Sequence, residues 1–546
     1  MRHPRAIPVW LPILCLGLVP ARAAEFNVAA FGAQRDASAP ATAAIQAAIA
    51  AAEAVGGGTV VIPPGRYACG PIALASNLTL EIQSGAVLEF PAARLPYAWG
   101  RVQGIECLAP VPLIGGTHLE NVAIIGGGEI TADNAAWVRL FGGPTPKSEA
   151  GSGSAFGPAW NRLLALLQQK TPQPQEEYLK AAPLLRPDFI RFQDCRNVRI
   201  DGLHLVGSPF WSIHLLYSEN ITIRGATLET FPGAFTGGIY VDSSRDVRIS
   251  DCSLDNGDDA ITLKAGKDAD GLRVNRPTED VVISHCVIHR GSGGIVIGSE
   301  TSGRIRRVVV SDIICQGTQA GINLKSERGR GGSVEDVRME NLVMDDVGRA
   351  ISVSEYYTMQ GETPSGAEPV SARTPLFSNI TVRQVTITRA RGAFDFGWNP
   401  MSISGNQPGQ PVAINIAGLP ERPIEGLRLS DITASGAGGL RAQNAAGLTL
   451  DHIRMEPAQG PAFLIRDCRD LRADRLFAGL APGQGPALRL DRCPRAAVRD
   501  CAASSGPGAV LSVDPAEAGP LRVQATGLPI EARTGDLWTA ARGPNG

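Results

Sequence analysis

The chain is 546 residues long and carries 51 Lys and Arg against 53 Asp and Glu, for a formal charge of −2. That balance excludes the strong basic excess expected of a nucleic-acid binder. Aromatic residues make up only 5% while there are 63 Gly and 40 Pro, which favours many short strands and turns over a helical bundle.

At the N-terminus, Arg2 and Arg5 precede the apolar run Val9–Val19, and Ala21-Arg22-Ala23 places small residues at a cleavage site. This pattern predicts an export signal over residues 1–23. The run is too short to span a bilayer, and no later segment reaches about 18 apolar residues. The mature chain, 24–546, is therefore expected to lack a membrane span and to be secreted or periplasmic. Next, Ala41–Ala54 is Ala-rich with helical spacing and ends at Gly56-Gly57-Gly58, which predicts a short helix capping the N-terminal end of a solenoid.

From there an internal repeat dominates. A turn residue precedes alternating apolar positions at Asn121-Val122-Ala123-Ile124, Asn197-Val198-Arg199-Ile200, Asn220-Ile221-Thr222-Ile223 and Asp246-Val247-Arg248-Ile249. The series continues at Asp280-Val281, Arg307-Val308, Asp336-Val337 and Asn379-Ile380, and weaker copies follow at Gly426-Leu427, Gly447-Leu448 and Asp470-Leu471. A spacing of roughly 21 to 34 residues is too short for strand-plus-helix units but sufficient for one coil of β-helix, and such coils must stack to bury a core. Tandem immunoglobulin-like domains would need about 100 residues each. The expected fold is all-β, a right-handed parallel β-helix forming a single domain over 24–546. A helical or loop insertion is expected at about 133–186, with degenerate C-terminal coils at about 436–546.

Of the ten cysteines, Cys15 lies in the export segment, so the mature count is odd. Cys252 and Cys286 occupy equivalent positions one coil apart, as do Cys468 and Cys493, which predicts stacked buried thiols rather than disulfides. No CxxC or Cys/His cluster has zinc spacing, so no metal or other cofactor is inferred. The sequons at Asn77, Asn220 and Asn379 fall on recurrent turn positions and are read as stacking residues. His285 and His289, without a partnered acid or nucleophile, are read as structural.

Chemistry enters at Asn256-Gly257-Asp258-Asp259-Ala260-Ile261-Thr262-Leu263-Lys264. Adjacent acids are usually only a solvated turn. With Gly293-Gly294-Ile295-Val296-Ile297-Gly298-Ser299-Glu300, Lys325-Ser326-Glu327-Arg328-Gly329-Arg330-Gly331-Gly332 and the N-terminal Gly57-Gly58-Thr59-Val60-Val61-Ile62-Pro63-Pro64-Gly65, the set resembles glycoside hydrolase family 28, the polygalacturonases. The resemblance covers roughly residues 26 to 455. It implies inverting hydrolysis of a pectin-type polysaccharide, with Asp258 protonating the leaving oxygen and Asp259 activating water. The residues support this independently. Glycoside hydrolysis needs one protonated and one ionised carboxyl, and two neighbouring aspartates repel when both are charged, which raises one pKa.

Stacking the coils aligns Ile239, Ile261, Ile295, Ile322 and Ile351 inward. It also sets two outward columns about 4.8 Å apart per coil. One column holds Tyr240, Thr262, Val296, Asn323 and Ser352; the other holds Asp242, Lys264, Gly298, Lys325 and Ser354. Lys264, Lys267 and Lys325 are three of only six lysines, and a compact ammonium on this face suits a uronate carboxylate. Lys264 is read either as such a contact or as the partner of Asp242. Lys325 matches the lysine of the family's Arg-Ile-Lys motif, and Tyr357 is positioned to stack on a sugar ring.

Three departures shape the substrate expectation. The family's Asn-Thr-Asp motif reads Phe235-Thr236-Gly237, its Gly-His-Gly motif reads Gly291-Ser292-Gly293, and its Arg-Ile-Lys motif reads Asn323-Leu324-Lys325. Asp242, Tyr240 or Glu300 are candidates to supply what is missing. A rhamnogalacturonan or other decorated-pectin hydrolase, a catalytically impaired carbohydrate-binding β-helix and a polysaccharide lyase are the alternatives. The expected partner is the polysaccharide, with no nucleic acid, and the chain is expected to be a monomer.

Overall fold

A computed structural model describes residues 24–141, 165–166, 186–233, 235–357, 366–392, 412–481, 484 and 486–504, and the backbone of 511–514, 522–524 and 530–532. The expected export segment lies outside these residues, as does most of the expected insertion at 133–186.

The chain coils into a parallel β-helix. Each turn adds one strand to each of three rows, and successive turns pair parallel and in register. On one row Val198, Ile221, Val247, Val281, Val308, Val337 and Ile380 lie in line from coil to coil. The turn residue before each of these strands explains the repeat. Asn121, Asn197, Asn220, Asp246, Asp280, Asp336 and Asn379 all have φ between 51° and 58°, a left-handed conformation that Asn and Asp tolerate better than other side chains. Their amides also stack. Asn121 Nδ2 donates to Asn77 Oδ1 at 2.8 Å, Asn197 Nδ2 to Asn121 Oδ1 at 2.7 Å, and Asn220 Nδ2 to Asn197 Oδ1 at 2.6 Å. The sequon asparagines are thus rungs of a ladder.

The row that carries the site comprises β1 (Ile190–Gln193), β2 (Ile213–Leu216), β3 (Ile239–Asp242), β4 (Ile261–Lys264), the end of the long β5 (Thr278–Gly298), β6 (Thr318–Lys325), β7 (Arg349–Ser354), β8 (Ile414–Ala417) and β9 (Leu440–Gln443). Ile213, Ile239, Ile261, Ile295, Ile322, Ile351, Ile414 and Leu440 are aligned inward through this row and are fully buried. Burial of each such side chain contributes roughly 1.5–3 kcal/mol. Coils beyond residue 436, whose sequence signal fades, keep the same register through Phe463–Arg466 and Leu488–Asp491.

Among the described residues, three α-helices of seven or more residues interrupt the strands. Helix α1 (Thr42–Ala54) buries Ala44, Ile45, Ala48, Ile49 and Ala52 against the first coil, so the expected cap is present. Helix α2 (Asn134–Phe141) begins the expected insertion and buries Trp137. Helix α3 (Asp268–Val274) follows β4. An antiparallel hairpin, Tyr97–Val102 with Ile105–Pro110, packs beside the site row and was not legible in the sequence. The nine described cysteines are all free and buried, in agreement with the stacked-thiol reading.

Candidate active site

The turn Asn256–Asp259 is pinned by its neighbours before any side chain acts. Gly257 N donates to Thr236 O at 3.1 Å, Gly238 N to Asp259 O at 3.0 Å, and Ser292 N to Asp258 O at 3.1 Å. Gly257 is required here, because a Cβ would lie 1.8 Å from Gly233 O. The clamped turn presents both aspartates at the entry edge of β4. Asp258 is half-buried and Asp259 only 5% exposed. Asp258 Oδ1 accepts a hydrogen bond from the Asp259 backbone N–H at 2.8 Å. Burial, and then the charge of Asp259, push the Asp258 carboxyl up to about 6.

Asp259 Oδ2 pairs with Lys325 Nζ at 2.8 Å. Burial alone would lower the Lys325 pKa, but the Asp259 charge outweighs it and raises it. Asp259 Oδ1 is buried and has no hydrogen-bond partner among the described residues. Lys325 Nζ also lies 5.0 Å from the centroid of the Tyr357 ring. Of the residues selected from the sequence, Asp258, Ser292 and Tyr357 are half-buried, with the Ser292 hydroxyl oxygen itself buried, whereas Asn323 and Lys325 are each 7% exposed. The Ser292 hydroxyl has no hydrogen-bond partner among the described residues.

The remaining sequence-selected residues lie beneath this surface rather than in it. Asp242 and Lys264 are register partners, as expected, but they do not pair with each other. Lys264 Nζ pairs with Glu300, leaving both side chains about 5% exposed, and donates to Gly298 O at 3.4 Å. Burial opposes ionisation of Glu300, yet Lys264, Arg330 and Lys267 hold it down at about 2. Asp242 is fully buried and bonds instead to Arg101 Nη1 of the hairpin at 2.8 Å. Arg101 and His214 hold Asp242 at about 2 against the effect of burial. Tyr240 is 2% exposed and stacks on Trp211 at 4.0 Å. Asp242, Tyr240, Glu300 and Lys264 therefore support the floor and are not placed to touch a ligand above it.

The loss of the motif aspartate at Gly237 has a steric counterpart. A Cβ at Gly237 would lie 2.1 Å from the Tyr240 hydroxyl oxygen and 2.3 Å from its ring. The phenol fills the space a side chain there would need.

Sequence reasoning missed a buried charge network below the floor. His214 Nδ1 lies 2.9 Å from Asp188 Oδ2 and its Nε2 lies 3.8 Å from Asp242, while Arg191 Nη1 reaches Asp188 at 3.2 Å. Burial pushes His214 down, but the two carboxylates outweigh it and raise its pKa. Arg186 was also missed. Burial depresses it to about 10, opposed by the charge of Asp258. An open depression of about 500 Å³, lined in part by Asp246, Arg248, Asp280, Val282 and Arg307, lies on a neighbouring row and not at the acids.

Comparison with known proteins meets the same stretch. Residues 180–399 match the family model described as glycosyl hydrolases family 28, and residues 25–81 match one described as rhamnogalacturonase A/epimerase, pectate lyase-like. A probable polygalacturonase of Vitis vinifera is 26% identical over 388 residues, covering 69% of this chain and 67% of its own length. An exo-poly-alpha-D-galacturonosidase of Dickeya chrysanthemi is 24% identical, covering 67% of this chain and 62% of its own length. The crystal structure of a hyperthermoactive exopolygalacturonase from Thermotoga maritima superposes with a TM-score of 0.67 at 27% identity, covering 79% of this chain and 91% of that one.

Proposed function

The chain belongs to glycosyl hydrolases family 28, and from that premise we propose that it is an exported inverting hydrolase. Its substrate is an α-linked, galacturonic-acid-containing polysaccharide or oligosaccharide. Asp258 acts as general acid and Asp259 as base. The observation that carries this reading is the asymmetry of the pair. Asp258 reaches solvent with its carboxyl lifted to about 6, while Asp259 stands behind it beside Lys325. Up to about pH 6 a proton is available at Asp258 for the glycosidic oxygen. Asp259 receives a proton from the attacking water, which completes the two-carboxyl requirement of inversion. Lys325, Asn323 and Ser292 line the approach, and the half-buried Tyr357 ring offers an apolar face to a sugar.

The substitutions at Gly237, Ser292 and Asn323 favour a decorated pectin such as rhamnogalacturonan over plain homogalacturonan. The Tyr240 phenol beside Gly237 leaves no room for a further carboxylate. A second reading, a carbohydrate-binding β-helix with impaired catalysis, is favoured by the near-complete burial of Asp259 in its ion pair. The basic residues and apolar run within residues 1–23, read as an export signal, support action outside the cytoplasm.

The deciding experiment is a product assay on homogalacturonan, rhamnogalacturonan and their oligomers, with wild type and Asp258→Asn side by side. New reducing ends without unsaturated products, lost in Asp258→Asn, are expected. Unsaturated products would indicate a lyase, and no cleavage of any member would favour the binding reading.

A further inference from the structure

The turn that carries the acids is tied to the coil before it by a closed ring of hydrogen bonds. Asn256, the first residue of that turn, is fully buried, and its Nδ2 donates to Thr230 Oγ1 at 3.0 Å. The Thr230 hydroxyl in turn donates to Thr236 O at 3.1 Å. Thr236 O also accepts the Gly257 N–H at 3.1 Å. Gly257 follows Asn256 in the chain, so the circuit closes on the peptide that leads into Asp258. Two further bonds brace it: Thr236 Oγ1 donates to Thr230 O at 2.9 Å, and Thr230 N to Asp255 O at 2.8 Å. Asn256 also packs on Gly238, where a Cβ would lie 3.0 Å from Asn256 Oδ1. The Gly238 N–H is the donor that holds the Asp259 carbonyl.

The ring is uncharged and lies out of reach of a ligand, with Thr230, Thr236 and Asn256 all buried. Asn256 Oδ1 has no hydrogen-bond partner among the described residues, so the buried amide is held by its donor side alone. Burying polar side chains is unfavourable unless they are bonded, and apolar residues would fill the same space without that cost. What a bonded polar ring adds is direction, because it fixes one peptide in a single orientation. The peptide it fixes sets how Asp258 stands against Asp259, including the 2.8 Å bond from the Asp259 N–H to Asp258 Oδ1.

We infer that Asn256 and Thr230 are positioning residues for the hydrolysis, and that the ring they close holds the Asp258 carboxyl against Asp259 in the arrangement the acid step needs. This rests on the hydrolase reading proposed above. The titratable groups that face Asp258 are Asp259 from its own turn, Tyr240 from β3, Lys264 from β4, Lys325 from β6, Tyr357 after β7 and Arg186 before β1. None of them belongs to the ring, so a substitution in the ring reaches the Asp258 proton through geometry alone.

The test is Thr230→Val in the full chain, which keeps a branched side chain and removes the hydroxyl. On polygalacturonate and rhamnogalacturonan it is expected to lower kcat about tenfold or more with KM unchanged. The alkaline limb of kcat/KM should also move to lower pH, as the loosened Asp258 carboxyl reaches more water. Thr230→Ser restores the hydroxyl and should return kcat and the limb to their wild-type values. Asn256→Ala is the parallel cut and carries the same expectations where Thr230→Val does not fold. The two cuts together should cost no more than one, because they open the same ring. A second readout needs no turnover: the pH-dependent difference in urea midpoint between Asp258 and Asp258→Asn should shrink when Thr230→Val is added to both. Wild-type kcat and pH limb in Thr230→Val, an equal loss in Thr230→Ser, or additive losses in the double variant would each overturn the assignment. If wild type cleaves neither polymer but the midpoint difference still shrinks with Thr230→Val, the hydrolase reading falls and the ring's hold on Asp258 stands. Cleavage by wild type that Thr230→Val leaves untouched gives the converse.

Discussion

Asp258→Asn should make the folded protein more stable at neutral pH even as it removes the general acid. The carboxyl at 258 titrates at about 6 in the folded chain against an ordinary value of 3.8. At about 1.36 kcal/mol per pH unit, that displacement corresponds to about 3 kcal/mol, and solvent reaching the half-buried side chain reduces it to about 1–3 kcal/mol. The sign follows from proton linkage. Below about pH 4 the group is protonated in folded and unfolded chains alike and contributes nothing. Between about pH 4 and 6 the folded chain keeps a proton that the unfolded chain has released, so stability falls as pH rises. Above about pH 6 the full destabilisation is present. Asparagine is neutral throughout, and its Oδ1 can still accept the Asp259 N–H. Urea unfolding of wild type and Asp258→Asn at pH 4, 5, 6 and 7 should therefore give matching midpoints at pH 4 and a higher midpoint for the variant at pH 7. A difference that is the same at every pH, or a variant less stable at pH 7, would refute the electrostatic account of the pair.

In wild type, kcat/KM should fall about tenfold per pH unit above about pH 6 as Asp258 loses its proton. Lys325→Met removes a charge that lowers the Asp258 pKa and should move that limb to higher pH; an unmoved pH–rate profile would contradict the assignment. Arg101→Met leaves the fully buried Asp242 with only His214 beside it and should destabilise by about 3 kcal/mol, with the 97–110 hairpin becoming open to protease. Arg101→Met/Asp242→Leu should recover part of the loss, and no recovery would mean that the pair is not what holds the hairpin. Gly237→Asp alone overpacks against Tyr240 and should lower stability by about 1–3 kcal/mol. Combined with Tyr240→Ser, it should fold normally and gain activity on plain homogalacturonan, and a double variant as unstable as the single would show that the phenol is not the obstruction.

The coil register was legible in the sequence because a left-handed turn residue recurs ahead of each strand and fixes which alternate positions face inward. That is why the isoleucine line and both outward columns follow from the sequence alone, and why Asp242 and Lys264 are expected as neighbours. Their true partners were not legible. Arg101 reaches Asp242 across 141 positions of sequence from a hairpin with no repeat signal, and Lys264 turns to Glu300 once Asp242 is taken. Burial was equally hidden. Outward on a β-helix need not mean wet, and Tyr240 lies under Trp211 because a neighbouring hairpin and an aromatic cluster cover that edge. Arg186 precedes β1 outside the repeat, and only the folded chain brings it near Asp258.

Helix α1 has a consequence for assembly. A stack of parallel strands ends in a row of unsatisfied amides and carbonyls, a template on which another polypeptide can add. By laying its alanine-and-isoleucine face over the first coil, α1 occludes that template. A chain lacking residues 42–54 should remain coiled along most of its length yet become adhesive at one pole, pairing end to end with a second copy through the uncovered first coil.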